Sequence, residues 1–199
     1  FAEAGALLQR TLEVEQRKLG EEHPRTLSTT HSVAACLANQ GRVSDAEALY
    51  RQCLEVWGRI KGDRHPAAAA TFFDLAGLLE ATQRFDEAEP YCRQAEAIWS
   101  AILPTGHPKR WKLSSLRGGI LSGQRRYAEA EPLLAASSDA LLDAAHGSSR
   151  GERRSVIERM LRHYESWDAA EPNNGHAEKA EHYRKLLAEA PPYLDYLIA

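Results

Sequence analysis

The side chains of this 199-residue chain that could act as nucleophiles, bases or metal ligands are three cysteines, eight histidines and the carboxylates. Each chemistry needs a particular spacing. A zinc or redox site built on cysteine asks for paired thiols, but Cys36, Cys53 and Cys92 stand far apart with no C-x-x-C pair. A zinc hydrolase asks for two histidines one helical turn apart with a glutamate between, and no H-E-x-x-H run occurs. Nucleophilic catalysis would need a base and an oxyanion donor converging on one hydroxyl or thiol, and the sequence marks no such set. We therefore expect no catalytic residues, no metal and no cofactor.

What the histidines and cysteines do show is a period. His23-Pro24, His65-Pro66 and His107-Pro108 recur at a step of 42 residues, as do Ala4, Ala46, Ala88 and Ala130. The cysteines fall into the same columns: Cys36 with Leu78 and Ile120, Cys92 with Tyr50 and Leu134, Cys53 with Thr11, Ala95 and Ser137. They read as small packing residues. The repeated histidines read as parts of a repeated turn. His163 and His182 stand alone and read as solvated or partly packed.

A fixed period of this size with two helical patterns per period signals a helical solenoid. Proline after each histidine suits the first position of a helix, where its missing N–H would have been unpaired anyway. Gly20 and Gly62 suit the left-handed residue that closes a preceding helix. Ser44-Asp45-Ala46-Glu47 and Asp86-Glu87-Ala88-Glu89 read as capping boxes at the start of each second helix. Pro90 and Pro132 lie at the edge of what a helix tolerates. Helices of about 17 residues would be roughly 25 Å long.

Composition excludes several function classes. The net charge is −3 and the sequence pI about 6.3, so no clustered basic field points to nucleic acid. No apolar run approaches the ~18 residues that cross a bilayer, and unpaired cysteines suit a reducing cytoplasm. Phe1 falls in register with Val43, so the chain reads as a fragment whose first unit lacks its first helix.

The motifs G-x-x-H-P, G41-R-V-S-D-A-E-A-L-Y, R84-F-D-E-A-E-P-Y and R126-Y-A-E-A-E-P-L resemble a tetratricopeptide array, in the 42-residue form typical of kinesin light chain and many bacterial relatives. Tyr164-Glu165-Ser166-Trp167 followed by Glu178 to Arg184 resembles the terminal unit of arrays attached to bacterial serine/threonine kinases. The resemblance implies an all-α, right-handed superhelical solenoid of antiparallel helix pairs. It implies a single array over residues 1–190: a half unit 1–22, units of about 23–64, 65–106 and 107–148, and an atypical terminal unit 149–190. Residues 191–199 would form a tail or cap.

In the family the first helix of each pair lines a concave groove. Carrying that register over gives Ser28, His31, Ala35 and Ala38, then Ala70, Phe73, Gly77 and Glu80, then Lys112, Ser115, Gly119 and Ser122. Ala35, Gly77 and Gly119 form one small-residue column, read equally as groove floor or as close helix packing. Ala34, Ala76 and Gly118 form another, which the family register places at a tight helix contact. Arg117 breaks the pattern, because Val33 and Leu75 at its register should face the core; either its helix is rotated onto Leu113, Leu116 and Ile120, the favoured reading, or the arginine stretches along its stem to a carboxylate or solvent. The run Arg150, Arg153, Arg154, Arg159 and Arg162 could form a face for an anionic peptide or phosphate, but with Glu152 and Glu158 interleaved a solvated helix surface is the favoured reading.

The resemblance implies a non-catalytic scaffold that binds a peptide segment of another protein, as the regulatory portion of a larger cytoplasmic bacterial signalling protein. The second reading is structural, with self-association or intramolecular docking through the terminal units.

Overall fold

The computed structural model describes residues 2–61, 65–142 and 149–189. Gly62, Gly147 and the 191–199 cap lie outside the described residues. Among the described residues every regular element is an α-helix: α1 (Ala2–Leu19), α2 (Pro24–Asn39), α3 (Val43–Lys61), α4 (Pro66–Ala81), α5 (Phe85–Ile102), α6 (Pro108–Gly123), α7 (Tyr127–Leu142), α8 (Arg150–Ala170) and α9 (His176–Glu189). They form an all-α helical repeat solenoid. It divides into two compact units, Phe1–Ile102 and Leu103–Ala199, and each is described by itself.

The repeated turn has a chemistry finer than the sequence suggested. His23, His65 and His107 are not simply turn residues: each is the N-cap of the helix that its proline begins. Each accepts, through Nδ1, a hydrogen bond of 3.2 Å from the amide two residues on. Imidazole thus does what serine or aspartate usually does for an orphan helical donor. At the other turn, Gly41, Gln83 and Arg125 all lie in the left-handed region, with φ of 75°, 61° and 62°. The period carries the backbone conformation even where glycine has been lost.

The expected capping boxes at 44–47 and 86–89 are not where those helices start. The helices α3 and α5 begin at Val43 and Phe85, one residue earlier, so Ser44 and Asp86 already lie within the first turn. The Glu47 carboxylate is used elsewhere. It takes Arg84 at 2.6 Å and Arg51 at 2.8 Å, which ties α3 to the start of α5 and holds the Glu47 carboxyl below its ordinary range, Arg84 contributing most. A capping box does occur on α8, where Ser149 and Glu152 satisfy each other's amides. Pro90 and Pro132 sit inside their helices.

In the first unit the core is formed by Leu27, Val33, Ala34, Tyr50, Val56, Trp57, Leu75, Leu79, Ile98 and Trp99. In the second, Leu121, Ala130, Leu134, Met160, Tyr164 and Ala180 form one buried cluster, with Trp167 and Tyr183 packed against it. His163 belongs to this core, a correction to its reading as solvated or only partly packed. It is wholly buried, its Nδ1 lies 3.0 Å from Ser122 Oγ, and Tyr127, Tyr164 and Trp167 surround it. Burial of this ring, which disfavours the charged form, pushes its pKa down to about 4.

The helix α6 buries a different register of its residues within its own unit, as the rotation expected from Arg117 would have it. Leu113, Leu116 and Ile120 are buried, whereas Ser32 and Asp74, in register with Leu116, are half-buried polar residues. Arg117 is half-buried where Val33 and Leu75 are buried, so its stem packs while the helix offers leucine to the core.

Candidate functional site

The face shared by α2 and α4 in the first unit is where the sequence placed most of the groove. His31 on α2 reaches across to α4 with both ring nitrogens: Nδ1 is 3.1 Å from Thr71 Oγ1 and Nε2 is 3.1 Å from Asp74 Oδ2. Its ring also lies 5.5 Å from that of Tyr50 on α3. Asp74 accepts, so Nε2 carries a proton, and the imidazole is fixed between a hydroxyl and a carboxylate. The connectivity is that of a threonine–histidine–aspartate triad. Thr71, in the place of the nucleophile, is 1% exposed and lies within the helix interface. The arrangement instead sets the spacing of the two helices. Thr71 and Asp74 were missed in the sequence; only their separation from His31 by close to one period marks them.

Around this link Ser28 is exposed, and Ala35, Ala38 and Ala70 are half-buried. Phe73 is also half-buried and its ring lies 5.4 Å from that of Trp99, which positions it by packing while leaving an edge open. Glu80 is buried at 6% exposure and is not offered to a ligand.

The two small-residue columns separate clearly. A Cβ placed on Gly118 would stand 2.5 Å from Leu134 Cγ and 3.3 Å from the Ala130 carbonyl oxygen, so glycine there serves close packing of α6 on α7. A Cβ placed on Gly77 meets nothing within 4 Å. Nothing in the first unit's packing requires a glycine at 77, although it costs α4 roughly 1 kcal/mol relative to alanine.

In the second unit the expected set is largely taken up internally. Lys112 is ion-paired with Glu152 of α8, Gly119 is half-buried, and Ser115 and Ser122 are buried. The two serines are corrections to the groove expectation. The rotation of α6 turns Ser115 inward, while Ser122 is bound to His163, and a buried hydroxyl cannot meet a ligand. Two of the α8 arginines are engaged along their own helix, Arg154 with Glu158 and Arg159 with Ser155.

A further concavity was not anticipated. A cleft of about 640 Å³ is lined by Leu54, Phe72, Pro90 and Tyr91 together with Arg51 and Glu87. Arg51 donates to the Tyr91 hydroxyl at 2.7 Å and its guanidinium lies 5.6 Å above that ring. It escaped the sequence because most of its lining comes from the second helices α3 and α5, whereas the family register points to first helices.

Among the described residues no cluster of three or more histidine, cysteine or acidic side chains could hold a metal, and no helix is long and apolar enough to cross a membrane. Cys36, Cys53 and Cys92 are buried and form no disulfide, and burial pushes the Cys53 thiol up to about 12. A buried, protonated thiol is a packing group and a poor nucleophile.

Comparison with known proteins completes the picture. A tetratricopeptide repeat family model matches residues 1–55 and 26–101. No curated protein sequence matches the chain significantly. Among solved structures, the nearly identical TPR-like repeats of a predicted kinesin light chain from Podosopora anserina are similar at 23% identity, with a TM-score of 0.68, over 94% of this chain and 87% of that one. BtubC (BKLC) from P. vanneervenii is similar at 13% identity and a TM-score of 0.70, over 96% of this chain and 76% of that one. MamA from Desulfovibrio magneticus RS-1 is similar at 14% identity and a TM-score of 0.56, over 94% and 97%. At these identities the likeness is one of fold.

Proposed function

Because this chain belongs to the tetratricopeptide repeat family, whose repeats mediate protein–protein interactions, we propose that it is a non-catalytic scaffold that binds an extended peptide segment of a partner protein along the α2/α4 face. The observation that carries this reading is the contrast between Gly77 and Gly118. One glycine is required by a neighbouring helix and the other by nothing inside the unit, which leaves close approach of an external backbone as its use. Ala35, Ala38 and Ala70 keep the surrounding floor low, the exposed edge of Phe73 supplies apolar anchorage, and Ser28 with the His31–Asp74 pair supplies polar groups that set register. Glu80, Ser115 and Ser122 are not part of this surface. Lys112 and Gly119 belong to the corresponding face of the second unit. The motif resemblance supports placing the array in a cytoplasmic bacterial signalling protein.

The test is capture of partner from the source cell by the chain and by a variant combining Phe73→Ala with Gly77→Trp, each checked for helical content by circular dichroism. Loss of one specific partner from the variant, with helicity intact, supports the α2/α4 face. Undiminished capture by the variant rejects it, and loss on Tyr91→Ala instead would move the site to the α3/α5 cleft.

A further inference from the structure

A histidine stands at the seam where the last helix pair meets the rest of the second unit. His163 of α8 is wholly buried, its Nδ1 lies 3.0 Å from Ser122 Oγ of α6, and the ring of Tyr127 of α7 meets it edge-on at 6.0 Å. It therefore touches both helices on the far side of the seam. Around it the seam is apolar: Leu121 of α6 with Ala130 and Leu134 of α7 close on Met160 and Tyr164 of α8 and Ala180 of α9.

Geometry makes this seat fit only the neutral ring. Imidazolium donates from both nitrogens. Ser122 can accept from Nδ1, but Nε2 is buried with no hydrogen-bond partner among the described residues, so one N–H of the cation goes unanswered. The titratable and charged groups that face the ring are Tyr127 and Glu131 on α7, His176 and Lys179 on α9 and Tyr164 on α8 itself, while α6 offers the neutral Ser122 hydroxyl. Glu131 attracts a proton to the ring, but its carboxylate is already held by Lys179 at 2.7 Å and the Tyr164 hydroxyl at 3.1 Å. Lys179 and His176 act against the charge, and burial acts against it most.

What holds α9 on α8 is separate. Tyr164 stacks on Tyr183 at 5.9 Å and Trp167 on His176 at 4.0 Å, and Arg184 of α9 is paired with Glu165 of α8 at 2.6 Å. A charge on His163 thus strains the seam to α6 and α7 and spares the α8–α9 pair.

We propose that α8 and α9 form an acid-released latch: on acidification the pair undocks as a unit from α6 and α7, with the His163 ring as its proton sensor, while the first unit stays folded. Opening of this local kind exposes the Leu121, Leu134 and Met160 surfaces without loss of the remaining fold. The seated ring refuses a proton between pH 6.5 and about 4, and the released ring takes it up. One proton per event means that the undocking equilibrium rises by up to about tenfold for each pH unit lost inside that window.

The test places a thiol in the seam. Leu134→Cys is tolerated by the repeat, because Cys92 holds the same column one period earlier and is wholly buried. The variant chain is labelled with a dipyridyl disulfide, which reacts with thiols down to acid pH, and each site is quantified by peptide mapping against a short unstructured cysteine peptide at the same pH. Relative reactivity at position 134 should climb by about tenfold per pH unit between about pH 6 and about pH 5, while Cys36, Cys53 and Cys92, all buried in the first unit, stay protected. Adding His163→Gln, which cannot charge, should abolish that slope. Reactivity at 134 that does not vary with pH overturns the proposal, as does a slope that His163→Gln leaves intact. Labelling of the three native thiols in step with position 134 overturns it too, since the whole chain would then be unfolding. Should His163→Gln fail to fold by circular dichroism, the slope at 134 and the protection of the native thiols still decide. The latch does not rest on the α2/α4 face, which partner capture at neutral pH tests by itself.

Discussion

Replacing each of two helical glycines by alanine should move stability in opposite directions, although the local sequences give little reason to expect it. Gly77→Ala adds a methyl group where nothing lies within 4 Å, so only the helix-propensity term acts. That term favours alanine by about 1 kcal/mol. Gly118→Ala gains the same term but sets the new carbon 2.5 Å from Leu134 Cγ and 2.8 Å from Leu134 Cδ2, roughly an ångström inside contact. Leu134 cannot swing away freely, because it is 1% exposed and belongs to the cluster with Leu121, Met160 and Tyr164. Overpacking of that kind costs about 1–3 kcal/mol, so a net loss of about 1 kcal/mol is expected. Urea unfolding followed by circular dichroism reads both as shifts in midpoint at constant m-value. A destabilised Gly77→Ala, or a Gly118→Ala as stable as the parent, would refute the assignment of one glycine to an open face and the other to a helix contact. Since the same methyl group would stand between α4 and a bound backbone, Gly77→Ala should also weaken partner capture while it stabilises the fold.

Three further outcomes follow from the turns and the buried histidine. Gln83→Gly and Arg125→Gly should each stabilise by about 0.5–1 kcal/mol, because both positions hold φ near 60°, a conformation that disfavours residues other than glycine; a loss in urea midpoint would contradict this. His23→Ala should cost about 1 kcal/mol by leaving the Arg25 amide without its Nδ1 acceptor, while His23→Asn, which can accept in its place, should recover most of it. Folding lowers the His163 pKa from 6.5 to about 4, so between those values the unfolded chain takes up a proton that the folded chain refuses. Stability is then complete above about pH 6.5 and falls as pH drops towards 4. The pH profile of the urea midpoint for His163→Gln should be flatter across that window, and an unchanged slope would show that the ring is not held neutral by its burial.

The sequence by itself determined the period, the all-α architecture and the identity of most core positions, because a 42-residue step places chemically equivalent residues at every return and each helix keeps its own start and stop residues. At Arg117 it left a choice between a turned α6 and a guanidinium stretched out along its stem, and the family register placed Gly118 at a tight helix contact. Tertiary structure decided what the period could not encode. Whether Ala35 and Gly77 formed a floor or a packing seam depended on what stands opposite them, and only coordinates show that nothing faces Gly77. The extent of α6 rotation buried Ser115, and the contact with α8 consumed Ser122, since a change of register in one helix is felt only through its neighbours. His163 looked solitary along the chain and became the centre of an aromatic core because the rings of Tyr127, Tyr164 and Trp167 converge on it from positions one to 36 residues away.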